Sequence, residues 1–281
     1  MSGASREALA SARERLDALA DNSPRFAGET PSSVTAAAKL AEELAAVTGL
    51  LDREVSLRRV LTDPAQSGEA KAELARRLLG TQVGGETADL VAGMVRSRWS
   101  RSRDLVDALE ELASGADLVA AERAGVLDDV EDELFRFGRI VGGSPELRSA
   151  LTDKVANRTA KTGLVSELLG GRANPVTERL VIRLVGRPRG RSLEAGLNAL
   201  SKLAADRRDR MVAVVTSAVP LSDAQKQRLG DSLAKLYGRR VHLNMDVDPE
   251  ILGGVQVRIG DEVINGSIAD RLAEAERRMA G

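Results

Sequence analysis

The 281-residue sequence has no cysteine and a single histidine, His242. Disulfides, thiol nucleophiles, thiolate metal centres, multi-histidine metal sites and histidine relays are therefore excluded. Aromatic residues make up 2% of the chain: Phe26, Trp99, Phe135, Phe137 and Tyr237. A base-stacking platform has almost nothing to be built from. Lys and Arg number 41 against 42 Asp and Glu, a formal charge of −1, which argues against a protein whose main task is neutralising phosphate backbones. No apolar run approaches the ~20 residues needed to span a bilayer. Met1 to Ala20 alternates charge with alanine and has no apolar signal core, so the chain is expected to remain in the cytoplasm.

What the chain does have is amphipathic periodicity. With 43% hydrophobic and 30% charged residues, an ordinary folded core is expected. From Ser5 to about Arg208 the spacing is helical. Leu9, Ala12, Leu16 and Leu19 form one stripe. Residues 21–31, with two prolines and a glycine, read as a loop. Val34 to about Leu61 reads as one long helix, carrying Leu40, Leu44, Val47, Leu51 and Val55 and ended by Asp63-Pro64. Helices over Glu69–Leu79, Glu86–Arg98 and Asp104 to near Ala124 follow.

This region contains an internal repeat. Leu57, Arg58, Leu61-Thr62-Asp63, Lys71, Leu74 and Leu78-Leu79-Gly80 recur as Leu147, Arg148, Leu151-Thr152-Asp153, Lys161, Leu164 and Leu168-Leu169-Gly170, an offset of 90. Leu90, Val91 and Val95 return as Leu180, Val181 and Val185, and Arg101-Ser102 as Arg191-Ser192. The reading is a duplicated helical unit.

At Met211 the texture changes. Residues 212–218 (VAVVTSA) read as a buried strand. Pro220 ends it, Ser222 and Gln225 form a capping box, and Leu229, Leu233 and Leu236 mark one helix face that stops at Gly238. Val241, Leu243, Met245 and Val247 alternate with polar residues, as do Val255, Val257 and Ile259 after the Gly253-Gly254 turn. Gly260-Asp261 turns into a short hairpin partner over Glu262–Ile264, and Ser267 caps a last helix with Ile268, Leu272, Ala275 and Met279 on a narrow stripe. The expected fold is mainly α: helical bundle over 1–125, duplicated segment over 126–210, and a small β-α-β-β-α module over 211–281.

No constellation for catalysis emerges. Gly253-Gly254 lies between strands, not between a strand and a helix as a phosphate loop requires. His242, Asp246 and Asp248 read as the solvated face of a strand, without a partner nucleophile or calcium-loop spacing. Lys161-Thr162-Gly163 lacks the partner motifs of a β-lactamase, and Asn265-Gly266-Ser267 reads as a turn with a helix cap. Arg187-Pro188-Arg189-Gly190-Arg191 is the one basic cluster. It reads as a solvated loop or a contact for an acidic surface, with a helical-repeat nucleic-acid regulator as the alternative. No cofactor and no metal are expected.

The tail resembles the C-terminal part of the delta subunit family of the rotary F-type ATP synthase, to which the mitochondrial oligomycin-sensitivity-conferring protein belongs. The resemblance rests on Ser217-Ala218, Pro220-Leu221-Ser222, Asp248-Pro249, Ile251, Gly253-Gly254, Arg258, Gly260-Asp261 and Gly266-Ser267. Asn265 stands where the family has aspartate. Upstream, Leu61 to Pro64, Lys71, Leu78-Leu79 and the run Arg103–Leu112 are similar to the family's helical domain. The usual member has one bundle and the tail, so the extra length here looks like a second partial copy of the bundle.

The resemblance implies a non-catalytic stator connector. Its helical domain would grip the N-terminal helices of the alpha subunits, and its tail would hold the b subunits of the peripheral stalk. It would lie at the cytoplasmic face of the bacterial plasma membrane, attached only through the complex, and bind no nucleic acid. Leu9, Leu16, Leu90, Val91, Met94 and Val95 are the expected groove walls, although the same residues would serve as bundle core. Leu272, Ala275 and Met279 are the expected stalk contact.

Overall fold

The computed structural model describes residues 3–23, 25–26, 30–153, 155–209, 211–237, 241–249, 254–259 and 262–265. The chain divides into two compact units, residues 1–205 and 206–281. The segments expected over 1–125 and 126–210 thus lie almost wholly within one unit.

The first unit is helical: α1 (Gly3–Asn22), α2 (Pro31–Arg53), α3 (Val55–Leu61), α4 (Gly68–Leu79), α5 (Gly85–Arg96), α6 (Ser102–Arg123), α7 (Leu127–Gly143), α8 (Pro145–Thr152), α9 (Arg158–Leu169), α10 (Pro175–Gly186) and α11 (Leu193–Arg208), whose last residues pass into the second unit. The long helix expected over 34–61 breaks at Glu54 (φ −90, ψ 79) into α2 and α3. Neither glycine nor proline marks the break. Instead Arg58 Nη1 donates to the carbonyls of Leu51 (2.9 Å) and Asp52 (3.3 Å). A side chain from the next helix thus satisfies carbonyls that the end of α2 leaves without intrahelical partners.

The duplication is deeper than the sequence match. Helices α2–α5 return as α7–α10. Ser67 accepts from the Ala70 amide, and Asn157, ninety positions on, accepts from the Ala160 amide. Asp63 and Asp153 each accept the amide two residues ahead, from Ala65 and Val155. Glu43 Oε2 of α2 accepts the Gly84 amide at 3.0 Å and the Thr87 hydroxyl at 2.5 Å. Glu133 Oε2 of α7 likewise accepts the Asn174 amide at 2.9 Å and the Thr177 hydroxyl at 2.5 Å. Each glutamate ties the start of a later helix to an earlier one, satisfying a backbone donor and a buried threonine together. The α6–α11 pair keeps the pattern with a shifted register: buried Leu105, Leu109, Leu112 and Ala116 recur as Leu193, Leu197, Leu200 and Ala204, an offset of 88.

Two apolar clusters fill the unit. One runs from α1 through α6; the other takes Leu118 and Ala121 of α6 together with side chains of α7 to α11. Helix α6 is therefore buried nearly all round, from Asp104 to Ala121.

The second unit is built on β1 (Met211–Ser217), α12 (Asp223–Tyr237), β2 (Val241–Val247), β3 (Val255–Ile259) and β4 (Glu262–Asn265). The strand order is β2-β1-β3-β4. β1 and β2 are parallel because α12 crosses over between them; β3 and β4 are antiparallel neighbours. The hairpin partner expected over 262–264 is β4. The capping box forms as expected: the Ser222 amide donates to Gln225 Oε1 at 2.8 Å, and the Gln225 amide to Ser222 Oγ at 3.4 Å. Ala213, Val215, Leu233, Val257 and Ile259 are the small core. Val214 and Thr216 are half-buried, so β1 alternates, whereas the sequence reads as buried on both faces. Leu236, expected on the packed face of α12 with Leu229 and Leu233, is 67% exposed.

The glutamate clamps set the first test. Glu133→Ala orphans a backbone donor and the Thr177 hydroxyl, with an expected loss of about 1–3 kcal/mol. Glu43→Ala should cost a similar amount, and the double variant should be close to additive, read as urea midpoints with unchanged m.

Candidate partner-binding sites

The six residues expected as groove walls of the first bundle are interior. Leu9, Leu16, Leu90, Val91, Met94 and Val95 are all buried within one cluster. This is the core reading that their spacing also allowed. Helices α1 and α5 approach closely through Arg15, whose guanidinium lies where a Cβ on Gly93 would stand.

Of the tail signature, the Asp248 amide donates to the Ser217 carbonyl at 3.0 Å, joining the ends of β2 and β1. Pro249 is exposed beside it, Arg258 is exposed on β3, and Gly254 takes φ +91, a conformation that favours glycine. Gly253, Gly260, Gly266, Ser267, Leu272, Ala275 and Met279 lie outside the described residues. Among the described residues, exposed apolar side chains of this unit are Val219, Leu236, Val247 and Val263.

In the helical unit the sequence reading missed Phe135 and Ile140 of α7, 58% and 57% exposed. The signal was available. Val130, Leu134, Phe137 and Val141 already complete a buried stripe at helical spacing, so two more large apolar residues off that stripe have no place in the core.

The basic cluster is turned inward. Arg189 is almost fully buried; its Nη1 bonds Asp107 of α6 at 3.1 Å. Its Nη2 lies 3.0 Å from Glu110, an ionic contact without hydrogen-bond alignment. Arg191 also pairs with Glu110. Arg187 lies against α2, its guanidinium occupying the space beside Gly49. Burial pulls its pKa below the usual arginine value; Arg158 adds to that shift and Asp52 opposes it. Two turns along α6, fully buried Asp117 receives Arg179 Nε and Nη2 at 3.1 and 3.0 Å and Arg183 Nη2 at 2.8 Å. The second copy thus reaches the acidic edge of α6 through four arginines. Arg189 and Arg191 are engaged with carboxylates, so the loop is not a free phosphate-binding patch.

Two clefts flank this junction. One, of about 240 Å³, lies between α6, α10 and α11 and includes Glu111, Ser114 and Leu203. The other, of about 730 Å³, lies between α8, α9, α10 and the loop leading to α11. Among the described residues no group of acidic and histidine side chains is arranged to hold a metal ion, and no helix is long and apolar enough to cross a membrane.

The acidic edge sets the second test. Glu110→Ala leaves buried Arg189 with Asp107 alone and is expected to cost about 2–3 kcal/mol. Glu110→Gln, which keeps the shape and an acceptor, should cost roughly half of that. Both values come from denaturant melts of the full chain.

Comparison with known proteins supplies the identity. The family model described as the ATP synthase delta (OSCP) subunit matches residues 114–279. The matched span begins within α6 and holds the second copy, so it is the first copy that lies before it. The chain is similar to the ATP synthase subunit delta of Streptomyces griseus, at 74% identity over 100% of both chains. It is 72% identical to that of Streptomyces avermitilis over 99% of this chain and 98% of the relative. It is 49% identical to that of Thermobifida fusca over 100% of both. The duplicated length is therefore shared with full-length relatives. The chain belongs to the ATP synthase delta (OSCP) subunit family, a structural subunit of the peripheral stalk and not an enzyme.

Proposed function

We propose that this chain ties the catalytic head of a bacterial F-type ATP synthase to the b-subunit stalk, so that the head does not turn with the rotor. The full-length identity of 74% to an ATP synthase delta subunit carries this reading. The helical unit grips the N-terminal helices of the alpha subunits, and the α/β unit holds the C-terminal end of the b subunits. The chain works at the cytoplasmic face of the plasma membrane, attached through the complex.

The physics of the task suits two units, each with its own core. Torque must pass through contacts that do not slip. An amphipathic partner helix laid in a groove provides such a contact. Two sites on one chain raise each other's effective concentration, so neither needs extreme affinity alone.

Membrane vesicles stripped of this subunit should lose ATP-driven proton pumping, while the detached head continues to hydrolyse ATP. Adding the full chain should restore pumping. A chain ending at residue 205 should still bind the head in sedimentation, but neither retain the soluble part of the b subunit nor restore coupling. Restored pumping by that truncated chain would overturn the assignment of the second unit to the stalk.

A further inference from the structure

The two copies treat one position in opposite ways. In the first, the α5–α6 loop carries Trp99, which is buried in the core and donates from Nε1 to the Met94 carbonyl at 2.8 Å. The same loop covers Lys71, which is 3% exposed and whose Nζ is 3.5 Å from the Ser97 carbonyl. Burial lowers the pKa of that amine. The indole is thus part of the first apolar cluster beside α5, and its loop reaches Lys71 of α4.

Ninety positions on, Trp99 is replaced by Arg189, Met94 by Leu184, Lys71 by Lys161 and Leu61 by Leu151. The second loop reaches its first core leucine, Leu193, two positions sooner than the first reaches Leu105. Arg189 takes φ +47 and Gly190 φ +77. That reversal carries the Arg189 side chain away from its own bundle to Asp107 and Glu110 of α6. The loop side chains here are Pro188, Arg191 and Ser192, none of them aromatic. What stands there is the cleft of about 730 Å³, lined by Leu151, Leu184, Val185 and Leu193. Its size is within the ~300–1,000 Å³ usual for ligand sites.

The rim is cationic. Arg148, Lys161 and Arg191 line it with Glu194, and Arg191 is held from behind by Glu110 of α6. Glu194 pairs with Arg148 at 2.8 Å, while the Lys161 amine is bonded to the neutral Asp153 carbonyl at 3.2 Å.

We infer that the cleft of the second copy is a docking site for an aromatic side chain carried on an acidic segment of another protein. The internal duplicate names the aromatic group, because an indole fills the corresponding place in the first copy. The rim names its acidic flanks, since a carboxylate complements Lys161, whose amine is bonded to a neutral carbonyl, where a lysine would be repelled. Its test uses neither the head nor the stalk.

The probe is the peptide acetyl-Glu-Glu-Trp-Glu-amide with a fluorinated indole, titrated against the full chain and followed by fluorine NMR. Saturable one-to-one binding is expected, with a lysine-flanked analogue weaker by about tenfold or more. Ser149→Trp, at an exposed position on the cleft wall, should abolish binding without moving the melting temperature. Lys161→Glu should reverse the preference between the two peptides, and serves if Ser149→Trp does not fold. Trp99→Ala should open the counterpart in the first copy and raise the stoichiometry to two. Absence of saturation, equal binding of both peptides, or binding unchanged in folded Ser149→Trp would overturn the proposal. So would a single site in folded Trp99→Ala.

Discussion

A helix buried nearly all round has to be surrounded, and α6 is such a helix. Its apolar residues from Leu105 to Ala120 complete the first cluster, while Leu118 and Ala121 belong to the second. Its remaining edge carries Asp107, Glu110 and Asp117, of which the last two are buried. Carboxylates in such a place are tolerable only when paired and hydrogen-bonded. The second copy supplies the pairs, from Arg179 and Arg183 on α10 and from Arg189 and Arg191 on the loop after it. Apolar packing thus gives the junction its cohesion, and the acid–arginine contacts give it register: a shift along α6 would strand charges.

The duplication shows which features a bundle of this kind retains and which it can change. The Glu43 and Glu133 clamps, the Asx turns at Asp63 and Asp153, and the caps at Ser67 and Asn157 recur ninety positions apart. These are polar interactions that satisfy backbone groups at helix ends and turns, and each depends on one residue in one place. The core is less constrained. Ala37 of α2 has Leu127 as its counterpart, and Val47 has Phe137. Volume can be exchanged between neighbours in a core more readily than a hydrogen bond can be moved. The loop around Trp99 and Arg189 changed most, and there one copy keeps its aromatic plug while the other sends its side chain to α6.

That division also accounts for the structure's fit to a stator part. Torque transmission needs a body whose pieces hold their orientation. In the helical unit, the two copies share α6 and are joined by buried ion pairs, so a flexible linker does not separate them. The partners proposed for the chain would meet a rigid surface on this unit and a separately cored α/β unit following it.

Periodicity and punctuation made much of the fold legible in the sequence. Helical stripes, the Ser222–Gln225 cap, alternating strands and the repeat offset are local patterns, and local hydrogen bonding and burial obey them. The tail motifs named the family for the same reason: turns that demand glycine or proline at fixed spacing leave a readable trace. Contacts between distant residues were not legible. The break at Glu54 depends on Arg58 reaching back to carbonyls of α2, and no breaker residue announces it. Whether Leu9 or Val91 lines a groove or fills a core depends on what covers it, which spacing alone cannot say. The fate of the Arg187–Arg191 cluster was decided by α6, some eighty residues earlier in the chain. A sequence records which faces are apolar and where turns fall; only the packed chain determines which charges meet, because pairing depends on distances that folding alone creates.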